Sequence, residues 1–205
     1  MCIWEVVHPD TIVSPLIFEE TVYSHSTYVR DIQEFNNYLY FSEASGGGGD
    51  GKIWRFPLGI PENVELFLDV PLAEVGGSWG GHFYIDPNGT TYLVDSGSSL
   101  YKHDSPSWQF ISTPGGTMKT DVFVYQNRIL YTTFDSVLYE TTPQGDRPIL
   151  NLPGTRLQVL SVDSIGNIFV SNYDGAWSED SLLRISFGGC ISYNNDKIGI
   201  WIEDI

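Results

Sequence analysis

Residues 83–97 read FYIDPNGTTYLVDSG, and Leu100, Tyr101 and Lys102 follow. Phe83, Tyr84 and Ile85 form a short aromatic and β-branched run, which suits a pleated, half-buried strand. Asp86-Pro87-Asn88-Gly89 then supplies four turn residues, each biased toward chain reversal for its own steric or hydrogen-bonding reason. Residues 91–94 return as a second strand, residues 95–99 make a loop of small residues, and residues 100–102 begin a third strand. The same grammar recurs at residues 159–185: VLSVD, the turn Ser164-Ile165-Gly166, a strand at 168–171, a loop, and a strand at 182–185. Strand–turn–strand–loop–strand units returning about every forty residues are the signature of β-propeller blades.

The bulk composition agrees with an all-β chain. Hydrophobic residues make up 41% of the 205 and aromatic residues 14%, so Tyr, Phe and Trp carry much of the apolar mass. Twenty-one Gly and eleven Pro punctuate short apolar runs, which argues for many turns and against long helices. Ten Lys and Arg against 26 Asp and Glu give a net charge of −16, a field that repels phosphate backbones and anionic membranes. The expected partners are therefore neither nucleic acid nor membrane. No stretch is apolar enough to span a bilayer, and the N-terminal Met1-Cys2-Ile3-Trp4-Glu5 lacks the basic and apolar regions of a signal peptide. The expectation is a soluble, cytoplasmic protein, or a secreted one if a signal peptide has been removed. Cys2 and Cys190 imply no disulfide framework and read as two thiols.

With strands lettered a to d from the channel outward, the ends of strand b align at Glu43, Asp95, Thr133, Asn172 and Asp204, separated by 52, 38, 39 and 32 residues. The first interval is lengthened by an insert at 45–51 and by extra residues at 57–62; the last is about one strand short. That shortage predicts a fourth blade that lacks or shares its outer strand. Strand c falls at 52–56, 100–102, 137–140 and 182–185, and Ile3-Trp4-Glu5 echoes Ile53-Trp54-Arg55. The chain thus reads as starting on a strand c and ending on a strand b. The prediction is a single domain over 1–205: a propeller of four-stranded antiparallel blades, five in number, closed by pairing of the N- and C-terminal strands. Such closure removes exposed sheet edges. The alternative is a six-bladed or partial propeller.

The phrasing of residues 83–97, LSVDSIGNIFVSN at 160–172 and LYFSEASGGGGDGKIWRF at 39–56 resembles the NHL-repeat and gluconolactonase-like propellers, over most of residues 28–186. The resemblance implies a propeller whose members include lactone hydrolases with a metal in the central channel, lyases, and modules that bind proteins or glycans. The metal-dependent lactonases take a Glu from an early Glu-Gly-Pro segment, with an Asn and an Asp from later blades. This chain has no Glu-Gly-Pro, which lowers the hydrolase expectation.

In a propeller the loop entering strand a and the loop leaving strand b share one face. Alignment on the turn after strand a puts Arg30, His82, Asp121 and Val159 at equivalent entrances. The b–c loops add Glu43, Asp95, Asn172 and Asp204 as candidate metal ligands, a set suited to Ca²⁺ or Mg²⁺, or with a His to Zn²⁺ or Mn²⁺. A divalent cation is the one cofactor this pattern admits. His82 and His25 are the candidate proton-transfer groups, and Arg30, Trp79 and Asp121 the candidate ligand-binding residues. Most of the ring carboxylates are expected to shape their own loops, as Asp95-Ser96-Gly97 does by its sequence. The Gly46–Gly49 run fits no phosphate-binding pattern and reads as a long b–c loop. Asn88-Gly89-Thr90 matches a glycosylation acceptor, but without a secretion signal a type I′ hairpin turn is the favoured reading. The function expected is a non-catalytic module that recognises a small molecule, glycan or protein at the channel mouth. The alternative is a metal-dependent hydrolase of the lactonase type.

Overall fold

A computed structural model describes residues 28–44, 51–71, 81–94, 99–112, 119–152, 156–173, 181–185 and 191–193. Blade 1 comprises β1 (Tyr28–Phe35), β2 (Tyr38–Ala44), β3 (Gly51–Pro57) and β4 (Glu65–Val70). Blade 2 comprises β5 (His82–Ile85), β6 (Thr91–Val94), β7 (Leu100–Asp104) and β8 (Ser107–Ser112). Blade 3 is built from β9 (Lys119–Tyr125), β10 (Arg128–Thr133), β11 (Val137–Thr142) and β12 (Gly145–Asn151). Blade 4 holds β13 (Arg156–Val162), β14 (Ile168–Tyr173), β15 (Ser181–Ile185) and β16 (Ile191–Tyr193). Each is a separate four-stranded antiparallel sheet in simple meander order, and the inner strands β1, β5, β9 and β13 lie side by side in that order. This is a β-propeller. Among the described residues no helix is long and apolar enough to cross a membrane.

One expectation is corrected here. Blade 4 has its own outer strand, β16, which pairs with β15 through Leu183–Tyr193, Arg184–Ser192 and Ile185–Ile191. The proposed end pairing, Cys2 and Cys190, and the Gly46–Gly49 run lie outside the described residues.

The apolar residues of the strands fill the seams between blades. Tyr40, Ile53 and Val70 of blade 1 pack against Phe83, Ile85, Leu93 and Trp108 of blade 2. Val94 and Leu100 of blade 2 meet Val122 and Tyr131 of blade 3, and Leu130, Leu138 and Leu150 of blade 3 meet Leu157, Leu160 and Val170 of blade 4. Each blade buries one sheet face on its neighbour, as two packed sheets do. Trp108 is buried in the first seam, its indole N–H donating to the Asp69 carbonyl at 2.9 Å. It is thus a packing residue and not an exposed stacking platform.

The a–b hairpins come in two forms that alternate around the ring. Blades 1 and 3 turn on two residues, Asn36-Asn37 and Gln126-Asn127, with φ of 49° and 63° and of 48° and 63°. Positive φ at both central positions is the type I′ turn, whose twist matches that of the strands. Blades 2 and 4 use five-residue loops, Asp86 to Thr90 and Asp163 to Asn167. There an Asp Oδ1 accepts two backbone amides: Asn88 and Thr90 in one loop, Ile165 and Asn167 in the other. The type I′ reading of Asn88-Gly89 is therefore corrected: Asp86 organises a longer loop, with Gly89 at φ 87°.

Blade 3 is fastened on its outer side by Glu140, which accepts from Arg128 Nε at 2.6 Å and also from Arg147. The two guanidinium groups hold the Glu140 carboxyl below its ordinary range, against a smaller opposing effect of burial. A folded pKa below the unfolded one contributes stability above the unfolded value, and that stability is lost as pH falls through the folded value. Glu140→Gln is expected to destabilise by about 1–2 kcal/mol at neutral pH. In urea denaturation the gap from the parent chain should narrow and close as pH falls below the ordinary carboxyl range.

Candidate functional site

The start of every inner strand for which the pairing is described on both sides carries the same irregularity. Val29 and Ile32 oppose Glu43 and Phe41, so β1 has an extra residue; Lys119 and Val122 oppose Thr133 and Tyr131, and Leu157 and Leu160 oppose Asn172 and Val170, in the same way. These are β-bulges, which bend a strand and re-aim a side chain. The residue that closes the bulge in blade 1 is Asp31 and in blade 3 Asp121, while in blade 2 the equivalent residue is His82, paired with Val94.

Both aspartates do the same local work. Asp31 Oδ1 accepts the amide of Ile32 at 2.9 Å, and its Oδ2 accepts the amide of Phe83, 52 residues on, at 3.1 Å. Asp121 Oδ1 accepts Val122 N at 2.8 Å, and Oδ2 accepts Leu160 N, 39 residues on, at 2.7 Å. Each carboxylate therefore ties its own inner strand to that of the next blade. Gln33 extends the first tie: its amide pairs both the N–H and the C=O of Ile85, at 2.7 and 2.8 Å, as a strand edge would. The Ser42 hydroxyl accepts Asp31 N at 3.0 Å and donates to the Gly81 carbonyl. In blade 3 the Thr132 and Thr120 hydroxyls lie 2.8 Å apart, and Thr120 donates to the Leu157 carbonyl at 2.6 Å.

These ties bring Asp31, His82 and Asp121 together, with one potential ligand atom from each lying within 4.8 Å of the others. His82 Nδ1 is 3.8 Å from Asp31 Oδ2, too far for a hydrogen bond and close enough for strong electrostatic contact. Burial pushes the Asp31 carboxyl up to about 6, against the opposing effect of the Phe83 and Ile32 amides. Asp121 is driven well above the ordinary carboxyl range by burial and by the nearby Asp31 charge, partly offset by the Leu160 and Val122 amides. Burial lowers His82, and the Arg30 charge lowers it further, so its imidazole is neutral at pH 7. The neutral imidazole is ready to take a divalent cation, whereas the two crowded carboxyls would give up protons as it bound, since its ligands must be deprotonated.

The donor set fits such an ion. An ionised carboxylate offers about four lone-pair sites, so two backbone amides leave each aspartate able to accept again. A His nitrogen with carboxylates suits Zn²⁺ or Mn²⁺. Tetrahedral zinc, with bonds of about 2.1 Å, holds its ligands roughly 3.4 Å apart, closer than the full spread here. Neighbouring ligands of Mn²⁺ or Ca²⁺, at higher coordination number, stand no farther apart, so any of these ions would draw the three side chains together.

His82 and Asp121, both singled out from the sequence, belong to this cluster. Asp31 was missed, and Arg30 stands one position before it. Asp31 precedes Ile32, the partner of Phe41, just as His82 precedes Phe83 and Asp121 precedes Val122. The available signal is the distance to the turn: Asp31 lies five residues before Asn36, and Asp121 five before Gln126. Arg30 is exposed, with its stem over Gly81 and its charge felt by His82. Glu43 points into its own blade, where Oε2 accepts the Trp54 indole N–H at 2.7 Å, and Thr133 bonds within its loop to Asp135 and Val137. Asn172 is placed by backbone pairing to Leu157 and Ser181; its side chain, like His25, Trp79, Asp95 and Asp204, lies outside the described residues.

No family model matches the chain, and no curated protein matches its sequence. Among solved structures it is similar to a Bacteroides eggerthii protein described as a bifunctional GH43-CE, with a TM-score of 0.53 and 12% identity over 84% of this chain. The match spans 26% of that protein, so the chain is about a quarter of its length. A second, looser similarity is to a Thermus thermophilus protein described as a putative oxidoreductase (glucose dehydrogenase): TM-score 0.41, 14% identity, covering 72% of this chain and 78% of that one. Likeness at this level of identity speaks to the propeller fold alone.

Proposed function

We propose that this chain is a ligand-recognition propeller whose recognition centre is a divalent-cation site formed by Asp31, His82 and Asp121. The observation that carries this reading is the convergence, within 4.8 Å, of ligand atoms from three successive blades. The cation would hold an oxygen of a small molecule, glycan or protein at the face where the inner strands begin, with the Arg30 charge beside it. Thermal melting after EDTA treatment, then with Mn²⁺, Zn²⁺, Ca²⁺ or Mg²⁺, tests it. A cation at one hundred times its dissociation constant stabilises by about 2.7 kcal/mol. The shift is expected with at least one ion and is expected to vanish in His82→Ala. No shift with any of the four removes the cation site.

A second reading, metal-assisted hydrolysis of a lactone or ester, is favoured by one observation. The neutral His82 imidazole stands 3.8 Å from Asp31 at the cation cluster, placed to accept a proton while the two aspartates hold the ion. The cation, held by Asp31 and Asp121, would polarise the carbonyl and His82 would move a proton. Cation-dependent hydrolysis of a simple lactone, lost in Asp31→Asn, would establish it; melting shifts without turnover leave the binding module.

A further inference from the structure

The opposite end of the same inner strands carries a second concavity, independent of the cation reading. Tyr84 and Phe123 stand two residues beyond His82 and Asp121, toward the a–b turns. There the five-residue loops of blades 2 and 4 rise on either side of the two-residue turn of blade 3, and a cavity of about 390 Å³ opens between them. The alternation of hairpin forms thus builds the depression: the short turn is its low rim and the long loops are its walls. Its volume lies in the range of small-ligand sites.

The lining is aromatic below and polar above. Tyr84 and Phe123 lie with ring centroids 4.2 Å apart at 36°, and Tyr125 stands beside them. Tyr125 is backed by Gly166 (φ 93°), where a Cβ would meet the Tyr125 hydroxyl at 3.1 Å and its ring at 3.3 Å. Exposed Asn88 provides an amide at one wall. Asp86 is buried at the same wall, with Oδ1 committed to Asn88 N and Thr90 N. Asp163 at the other wall has both oxygens engaged within its loop.

We infer that this cavity is a binding site for a neutral sugar ring, seated on the Tyr84, Phe123 and Tyr125 side chains and hydrogen-bonded through its hydroxyls to Asn88 and Asp86. Two carboxylates at the walls and a net charge of −16 oppose phosphates and acidic sugars. With both Asp163 oxygens bonded within its own loop, an organic cation would gain no ready ion-pair acceptor from that wall. What the lining offers is aromatic surface for C–H groups, with an amide and a carboxylate for hydroxyls.

Saturation-transfer NMR with methyl β-glucopyranoside, methyl α-mannopyranoside, methyl β-xylopyranoside and glucosamine tests the assignment. Transfer to the ring C–H protons of at least one neutral glycoside is expected, unchanged by EDTA and lost in Asn88→Trp, which fills the cavity from its exposed rim. Tyr84→Leu, which keeps an apolar side chain while removing the ring, should also lose it and serves if the first variant misfolds. No transfer from any neutral sugar overturns the inference. So does transfer that survives both variants, or transfer from glucosamine alone. Loss of transfer on EDTA treatment would place the sugar at the cation cluster instead and equally overturn it.

Discussion

Asp121→Ala is expected to lower the stability of the chain by about 3 kcal/mol, the largest effect of any single carboxyl here. The carboxylate satisfies two backbone amides, Val122 N and Leu160 N, and the residue is 7% exposed. Alanine leaves both donors orphaned in a place water does not reach, at about 1–3 kcal/mol each. Relief of burying a carboxyl next to Asp31 offsets part of this. Because Leu160 belongs to the neighbouring inner strand, the damage concentrates at the seam between blades 3 and 4. Hydrogen exchange should therefore accelerate at Leu160 and its partner Val170 before it does in blade 1.

Asp121→Asn separates the two roles of the side chain. The amide oxygen still accepts one backbone N–H, while its NH₂ faces the other, so the loss is expected to be about half as large. It also removes the higher-titrating carboxyl of the pair, so the transition held well above the ordinary carboxyl range should disappear while that of Asp31, at about 6, remains. Carboxyl NMR of the cation-free protein reads that change directly. Equal stability of parent and Asp121→Ala in urea denaturation would mean that the inter-blade tie contributes nothing, and the account of the seam would fail.

The strand grammar was legible because each blade is a local meander whose alternation, turn residues and loop lengths are written in adjacent positions. Register at the end of strand b was readable for the same reason: Phe41, Leu93, Tyr131 and Val170 occupy one column, set only by short hairpins. The cluster was half legible. His82 and Asp121 fell in the right column, but Arg30 was set one residue short of it, although blade 3, with the same bulge and two-residue turn, holds Asp121 at the distance from its turn that Asp31 has from Asn36. A bulge adds a residue without a signature of its own. The b–c loop carboxylate Glu43 has a composition that suits a metal ligand, yet the indole that holds it lies on the next strand and the partnership is invisible in sequence. The hidden order is a two-blade period: blades 1 and 3 pair a bulge aspartate with a type I′ turn, and blades 2 and 4 pair a His or Val with an Asp-organised loop. Aligning each blade with the next but one would have placed Asp31 over Asp121.

Gly81→Ala is expected to be as damaging as any core truncation, by about 3 kcal/mol, although it adds a single methyl group. Two separate costs meet at this residue. Its φ of 88° is a conformation that an L-residue adopts only with strain, about 1–2 kcal/mol. A Cβ built there would also lie 2.5 Å from Arg30 Cβ, which the backbone fixes, and 2.7 Å from Arg30 Cγ, so rotating the side chain cannot relieve the collision. Overpacking of this kind costs roughly 1–3 kcal/mol. The two can be told apart by a double-mutant cycle. Arg30→Gly removes the collision but not the backbone strain, so Gly81→Ala in that background should lose only the smaller part. The displacement has a functional reading too. Gly81 accepts from Ser42, Ser42 holds Asp31 N, and His82 is the next residue, so a shift of Gly81 moves two of the three cluster residues. Gly81→Ala should therefore weaken the cation-induced melting shift even under conditions where the variant stays folded, whereas Glu140→Gln should lower stability and leave that shift intact.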